Sequence, residues 1–178
     1  MMPATLRPAL TLGIYPTARG FGWIVFEGPF APFDWAVVGV KADKNSACLR
    51  AIESLIERFH PETLVLEAFE RRSSARANRI TRLCRAITCL AEDRGVSVAV
   101  YRRSDITDCF RTIGAVTRQE IAEAVARHVY ALRHRLPKNR RMWESEDKRM
   151  SLFNAAALVL THYRHQALFF LDDLNQEA

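Results

Sequence analysis

The sequence has few of the residues that mark fibrous, disordered or disulfide-linked proteins. It contains seven glycines and seven prolines in 178 residues, which excludes a collagen-like or low-complexity chain. The longest purely apolar run of its C-terminal half, 155–160, is far too short to span a bilayer, so no membrane partner is expected. No C-x-x-C pair is present, which argues against a zinc ribbon. Reduced, mostly buried thiols in a cytoplasmic protein are therefore predicted for the four cysteines, Cys48, Cys84, Cys89 and Cys109.

The composition instead indicates a folded basic protein. Hydrophobic residues make up 49% and charged residues 26% of the chain, a balance that excludes intrinsic disorder. The length fits a single domain over 1–178, with a flexible N-terminal arm at 1–9. A net charge of +6 at pH 7 favours a polyanionic partner, most often a nucleic acid.

Hydrophobic patterning predicts three strands joined by short links and then alternating helices and strands. Short links favour antiparallel pairing of the first three strands, and the later alternation favours a mixed sheet with helices on both faces. We therefore predict an α/β fold with a mixed five-stranded sheet. The strands are expected at 10–14, 21–27, 34–40, 64–67 and 96–101. The helices are expected from an Asn45 N-cap to about residue 59, at 74–94, from 104 to about 113, at 117–134 and at 146–170.

Glu67 is a candidate functional residue because it ends a strongly apolar strand. The residues before it, 64–66, are Leu, Val and Leu, so its carboxylate is expected to be partly buried. Burial of a charged group is unfavourable unless the group is paired or bound to a metal. Two interpretations stay open: a functional carboxylate at a strand end, where ligands gather in such sheets, or a salt bridge to Arg71 or Arg72.

Four polar residues are predicted to share one face of the last helix. Glu144, Asp147, Ser151 and Asn154 lie at positions i, i+3, i+7 and i+10. Such a stripe is usually a solvated face. Here Asn154 is followed by three alanines at 155–157, and small residues allow a helix to approach the sheet closely.

Three segments of the sequence carry a family pattern: LGIYPTARGFG at 12–22, LVLE at 64–67 and NAAALVLTH at 154–162. In this order they resemble the opening strand and turn, the fourth strand with its glutamate, and the final helix of RuvC-like Holliday-junction resolvases, in the ribonuclease-H-like superfamily. The resemblance covers nearly the whole chain. It implies a ribonuclease-H-like sheet of three antiparallel strands followed by two parallel strands, flanked by helices.

The resemblance also implies a chemistry and a partner. Members of the family cut DNA with two Mg²⁺ ions about 4 Å apart, which activate a water and stabilise the leaving oxygen of a phosphodiester. The metals are held by an aspartate at the end of the first strand, the glutamate of the fourth strand and acids on the last helix. The family further implies a homodimer that acts on a four-way DNA junction, with an interface on the helix at 74–94.

This sequence departs from the family pattern in its acids. Tyr15 and Asn154 stand where aspartates are expected, Ser151 falls on the other helix position, and Glu67 is unchanged. A phenol is neutral at pH 7, and an amide offers only a carbonyl dipole. Since the negative charge that would hold two divalent cations is largely missing, we expect a nucleic-acid-binding protein with an inactive nuclease site.

An active enzyme is the alternative. Asp147, one turn before Ser151 in the predicted helix, and Glu146 would partly replace the missing acids. A divalent-metal-dependent endonuclease would then use Glu67 and Asp147 as ligands for Mg²⁺ or Mn²⁺, whereas an inactive site needs no cofactor.

Arginines at every third position are predicted to form an oblique ridge along the helix at 74–94. The planar guanidinium group suits phosphate better than an ammonium group does, and no acid interrupts 71–85. The alternative interpretation is a solvated helix face. The predicted nucleic-acid contacts are Arg71, Arg72, Arg76, Arg79, Arg82 and Arg85, together with Lys138, Arg140 and Arg141 of a basic loop at 136–143.

Further interpretations stay open. Trp143 in the basic loop either stacks on a base or covers the core. Arg102 and Arg103, at the end of the fifth predicted strand, are expected to face the same cleft as this loop, beside the candidate site. The chain would instead be a module that binds protein partners if its aromatic residues formed an exposed patch. The apolar residues available for a dimer on the helix at 74–94 are Ile80, Leu83, Ile87 and Leu90.

Overall fold

A mixed sheet of five strands forms the centre of the fold. The computed structural model describes residues 9–69 and 74–176, so the arm predicted at 1–9 lies outside these ranges except for Ala9. The strands lie in the order β3-β2-β1-β4-β5. Their bounds are β1 (Thr11–Thr17), β2 (Gly20–Gly28), β3 (Ala31–Gly39), β4 (Thr63–Glu67) and β5 (Ser97–Tyr101).

The pairing confirms the predicted fold class. β1 pairs antiparallel with β2, and β2 pairs antiparallel with β3. β4 is parallel to β1 on one side and to β5 on the other. The helices that flank this sheet are α1 (Lys44–Phe59), α2 (Ala75–Asp93), α3 (Arg103–Arg111), α4 (Arg118–His128) and α5 (Met150–Gln176), with a 3-10 helix at Tyr130–Arg135.

The sheet separates two hydrophobic clusters, because successive strand residues point to opposite faces. On one face, Leu12, Ile14 and Leu64 pack with the apolar residues of α1 and α2. On the other face, Tyr15 and Val65 pack with α3, α4 and α5. The central strands are therefore covered on both sides, as expected for strands inside an α/β sheet.

Glycines on β1 and β2 allow α5 to lie directly on the sheet. A Cβ atom at Gly13 would lie 2.6 Å from the carbonyl oxygen of Ala155, and one at Gly22 would lie 2.3 Å from the carbonyl carbon of Ser151. Non-bonded heavy atoms do not approach this closely, so a residue with a side chain would fit at either position only if the helix moved. Ala155 lies against Gly13, as the small size of the alanines predicts, whereas the backbone of Ser151 lies against Gly22.

The last helix begins four residues later than predicted, at Met150 instead of residue 146. The carboxylate of Asp147 accepts a hydrogen bond from the backbone N–H of Arg149 at 2.8 Å, and the N–H of Met150 donates to the carbonyl of Asp147 at 2.9 Å. This local turn replaces the first helical turn. The predicted stripe from Glu144 to Asn154 is therefore wrong for its first two members, which precede the helix.

Other helix ends also differ from the prediction, among them the end of α5, which lies at Gln176 instead of residue 170. α1 is capped by Asp43 in the left-handed conformation, with φ 44°, and Asn45 instead bonds to Arg79 of α2. α4 starts at the predicted capping box but ends at His128, because the buried Val129 leaves the helical conformation and the chain continues as the 3-10 helix.

The four cysteines are free thiols, as predicted, but the expectation that most of them are buried is wrong: Cys48 is buried, Cys84 and Cys109 are partly buried, and Cys89 is exposed. Within residues 9–69 and 74–176, no helix combines the length and the apolar character that crossing a membrane requires.

Candidate functional site

Tyr15 and Glu67 lie at the ends of neighbouring strands. β1 and β4 run parallel with Gly13 opposite Val65, and Tyr15 and Glu67 each come two residues further along. Both residues are buried, with exposed fractions of 6% and 5%. The sheet therefore places the phenol next to the carboxylate that matches the family pattern.

Helix α5 brings Ser151 and Asn154 to the same region. Both residues are buried, because the start of α5 packs against Gly22 of β2. The Ser151 hydroxyl donates a hydrogen bond to the carbonyl of Lys148 at 2.6 Å. Tyr15, Ser151 and Asn154 all line the wall of one cleft. Three of the four family-matched positions thus share one surface, and Glu67 adjoins Tyr15 in the sheet.

The two acids that were expected to compensate are both paired with arginines. Asp147 forms an ion pair with Arg149, with 2.7 Å between Oδ2 and Nη2. This hydrogen-bonded pairing holds the pKa of Asp147 below its ordinary value of 3.8. Glu146 forms a longer ion pair with Arg118, at 3.6 Å. Each of the two acids therefore has a cationic partner within this part of the chain.

Arg103 and Arg118 supply positive charge beside Glu67. Arg103 begins α3, and Arg118 begins α4. Glu67 lies in register with Tyr101 at the end of β5, two residues before Arg103. Glu67 Oε2 and Arg103 Nη1 are both buried without a hydrogen-bond partner among residues 9–69 and 74–176. Within this part of the chain, neither Arg102 nor Arg103 is among the residues that line the cleft, although the charge of Arg103 acts on both Glu67 and Tyr15.

Burial controls the protonation of the site. It raises the pKa of Glu67 above its ordinary value of 4.5, although the charges of Arg103 and Arg118 oppose this shift. Burial and then the charge of Glu67 raise the pKa of Tyr15 above 10.0, so the phenol is neutral at pH 7. The four matched positions therefore carry one ionisable carboxylate, a phenol, an amide and a hydroxyl.

This set of side chains does not fit two divalent cations. Mg²⁺ and Mn²⁺ prefer hard oxygen ligands with enough carboxylate charge, and Glu67 is the only carboxylate among the four matched positions. No three His, Cys, Asp or Glu side chains in the described part of the chain are arranged to hold a metal ion. Asp147, the best predicted additional ligand, is paired with Arg149.

We expect Glu67→Gln to stabilise the protein at neutral pH. The pKa of Glu67 is raised in the folded state above its ordinary value of 4.5. The protonated carboxyl group therefore stabilises the fold fully below pH 4.5, and this stabilisation is lost as the pH rises through the raised pKa. The neutral amide removes this dependence. Urea unfolding between pH 4 and pH 8 measures the difference.

Glu120→Gln is the matched control, since its pH dependence has the opposite sign. Hydrogen bonds from the backbone of Thr117 and Val116 lower the pKa of Glu120, so its stabilisation is present above pH 4.5 and is lost as the pH falls through the lowered pKa. A Glu67→Gln protein that is less stable than native at pH 7 would mean that attraction to the arginines outweighs the burial of the charge.

The site opens onto a large basic cleft with a volume of about 1990 Å³. The turn between β1 and β2, the end of β3, the start of α2 and the segment 134–149 form its walls. Eight lysines and arginines line it, against three acids. Glu144, the third acid, accepts a hydrogen bond from the backbone N–H of Arg141. The cations are Arg19, Lys41, Arg76, Arg118, Lys138, Arg140, Lys148 and Arg149.

The predicted nucleic-acid contacts do not all lie on one surface. Arg76, Lys138 and Arg140 line the cleft. Arg82 and Arg85 are exposed on α2, and within the described chain they are not among the residues that line it. Arg141 lies in the turn beside the cleft. Arg71 and Arg72 fall outside the described residues.

Arg79 differs from the other arginines of α2 because its guanidinium is used inside the fold. It donates to the Asn45 side chain at 2.8 Å and to the carbonyl of Thr17 at 2.9 Å. These bonds tie α2 and α1 to the turn that carries Arg19. The ridge predicted along α2 is therefore interrupted, and Arg79 acts as a positioning residue for one wall of the cleft.

Comparison with solved structures identifies the fold. Thermus thermophilus RuvC in complex with a Holliday junction substrate matches with a TM-score of 0.67 and 19% identity, over 89% of this chain and 96% of that one. Another Thermus thermophilus RuvC structure matches with a TM-score of 0.66 and 21% identity, with the same coverage of 89% and 96%. The yeast mitochondrial Holliday junction resolvase Ydc2 matches with a TM-score of 0.63 and 14% identity, over 96% of this chain and 85% of that one.

No protein-family model and no curated protein sequence matches the chain. The structural similarity confirms the RuvC-like resolvase fold that the three sequence segments predict.

Proposed function

We propose that this chain binds branched or duplex DNA in its basic cleft and that its nuclease site is inactive. The observation that carries the proposal is the excess of eight cationic side chains over three acids in a cleft whose wall includes Tyr15 and Asn154. Surface cations bind nucleic acid by neutralising phosphates and releasing counterions. A four-way junction is the first DNA to test, because RuvC of the same fold was solved with a Holliday junction substrate.

The proposal separates binding of DNA from its cleavage. Binding depends on the charge and shape of the cleft, which need no metal. Cleavage in the two-metal mechanism depends on carboxylates that hold the cations next to the attacking water and the leaving oxygen. The neutral side chains of Tyr15, Ser151 and Asn154 supply none of that charge, so we expect bound DNA to stay intact.

A nuclease that uses Glu67 and Asp147 with Mg²⁺ or Mn²⁺ is less well supported. Asp147 is bound to Arg149, and Glu67 lies beside Arg103 and Arg118. A bound metal would have to displace or outcompete guanidinium groups that are part of the same chain.

A homodimer also stays a proposal, and the apolar residues first expected at its interface are largely used inside the chain. Ile80, Leu83 and Ile87 of α2 are buried in the chain's own core, and Leu90 is partly buried against it. A dimer on α2 would therefore have to use the other residues of this helix, together with the exposed part of Leu90. A module that binds protein partners would use exposed apolar residues such as Phe30 and Phe33 of the β2–β3 hairpin, but no observation favours this function over DNA binding.

Charge reversal inside the cleft tests the proposed function. We expect Arg76→Glu with Lys138→Glu to weaken binding to a labelled four-way junction by roughly tenfold or more. The slope of log K against the logarithm of the salt concentration should also become less steep by about two. Fluorescence anisotropy over a series of salt concentrations measures both quantities.

Arg82→Glu with Arg85→Glu is the matched control. It makes the same change of net charge on the exposed face of α2, away from the cleft-lining residues. Binding by this control should fall much less. Equal losses in the two double variants would contradict the cleft as the binding surface, and native protein that binds no DNA would contradict the proposed function itself.

A further inference from the structure

A closed turn at 141–144 projects from the segment that lines the cleft. The N–H of Glu144 donates to the carbonyl of Arg141 at 3.0 Å, and the Glu144 carboxylate accepts from the N–H of Arg141, also at 3.0 Å. The Arg140 side chain donates to the carbonyl of Glu144 at 2.9 Å. Arg140 and Glu144, which flank the tip of the turn, both line the cleft. The turn is thus fixed at the edge of the basic surface.

The two residues at the tip of this turn are large and apolar. Met142 is 99% exposed and Trp143 is 78% exposed. Turn tips normally carry Gly, Pro, Asn, Asp or Ser, which favour the backbone conformations of turns. The conformation of the turn therefore does not explain why Met142 and Trp143 are found at its tip. The hypothesis that Trp143 covers the core is wrong, because most of its surface is in contact with solvent.

Arg141 orients the indole ring of Trp143. Its guanidinium carbon lies 5.6 Å from the ring centroid, a distance at which a cation is attracted to the face of an aromatic ring. With 78% of Trp143 exposed, a large part of the ring is available to a second planar group. A positive charge next to an exposed ring also favours a ligand that combines a phosphate with an aromatic base.

We infer that Trp143 stacks on an unpaired nucleotide base of DNA held in the cleft, so that the protein prefers DNA with unpaired bases over a continuous duplex. This inference rests on the proposed function, and it adds a preference that cleft charge alone does not give. Phosphate contacts carry little information about the bases. Bases within a duplex are already stacked on each other, whereas an unpaired base exposes a face to the ring.

The test compares two DNA ligands of equal length, a continuous duplex and a duplex interrupted by a short single-stranded run of thymines. Native protein should bind the interrupted DNA more tightly. Trp143→Ala should weaken binding to the interrupted DNA by at least about fivefold, the lower end expected for one lost base stack, and leave binding to the continuous duplex nearly unchanged. Trp143→Phe should retain most of the preference, because it keeps an aromatic face.

Met142→Ala is the matched control, since Met142 is also exposed on the same turn but has no aromatic ring. It should leave the preference intact. Unchanged binding of both ligands by Trp143→Ala would overturn the inference while leaving the proposed function in place. An equal loss on both ligands would overturn it as well, because the ring would then support the cleft and not an unpaired base. Native protein that binds neither ligand would contradict the proposed function, and the inference with it.

Discussion

Restoring carboxylates at the three altered positions is expected to make the protein respond to divalent metal. The variant Tyr15→Asp, Ser151→Asp, Asn154→Asp would place three acids around Glu67, at positions that the fold already brings to one region. Several carboxylate oxygens are what Mg²⁺ and Mn²⁺ require. In millimolar Mn²⁺ at about 100 times the dissociation constant, the stabilisation would be about 2.7 kcal/mol, which raises Tm by roughly 5–10 °C for a protein of this size.

Thermal unfolding with Mn²⁺ and with EDTA measures this response. In EDTA the restored variant should be less stable than native, because its acids repel one another without a cation. Tyr15→Asn with Ser151→Asn is the matched control of similar side-chain size without charge, and its Tm should not depend on Mn²⁺. The restored variant should also cut a four-way junction in Mn²⁺, and adding Glu67→Gln should abolish the cut. A native protein with a Mn²⁺ response as large as that of the restored variant would contradict the inactive site.

Gly22→Ala is expected to destabilise the fold by about 3 kcal/mol, at the upper end of the range for overpacked cores. The new Cβ atom would lie 2.3 Å from the carbonyl carbon and 2.5 Å from the carbonyl oxygen of Ser151. These are backbone atoms of α5, so no side-chain rotation relieves the clash. The helix that carries Ser151 and Asn154 has to move away from the sheet.

Gly28→Ala is the matched control for this prediction. Gly28 ends the same strand, and nothing lies within 4 Å of its added Cβ atom. Its effect on the free energy of unfolding should stay within about 0.5 kcal/mol. Urea unfolding measures both variants. A Gly22→Ala protein as stable as the Gly28→Ala protein would mean that the contact between β2 and α5 is not tightly packed.

The strands and the start of α4 could be predicted from sequence because their signals are local. Alternating and continuous apolar runs mark the strands, and the Thr117 and Glu120 side chains form the predicted capping box. The start of α5 could not be predicted, because Glu146 and Asp147 are compatible with a helix. In the structure, Asp147 instead forms an ion pair with Arg149, and the helix begins at Met150. This contact depends on the positions of both side chains, which the sequence alone does not show.

The residues of the site also divide into those that the sequence identified and those that it missed. Glu67 and Asn154 stood out because of the apolar or small residues next to them, and the segments that resemble a known family added Tyr15. The cleft residues Arg19 and Lys41 were missed, because turns that are distant in sequence bring them together with the segment 134–149. Spacing along α2 also suggested that all its arginines were equivalent. Contacts to Asn45 and Thr17, from other parts of the chain, set Arg79 apart.

Incubation of native protein with an end-labelled four-way junction in Mg²⁺ tests the central claim most directly. A native gel reports binding, and a denaturing gel of the same sample reports cleavage. The predicted result is junction DNA that is fully bound at high protein concentration and remains intact, in Mg²⁺ as in EDTA. Nicked strands that appear in Mg²⁺ with native protein and disappear with Glu67→Gln would contradict it, because they would show a working metal-dependent nuclease at this site.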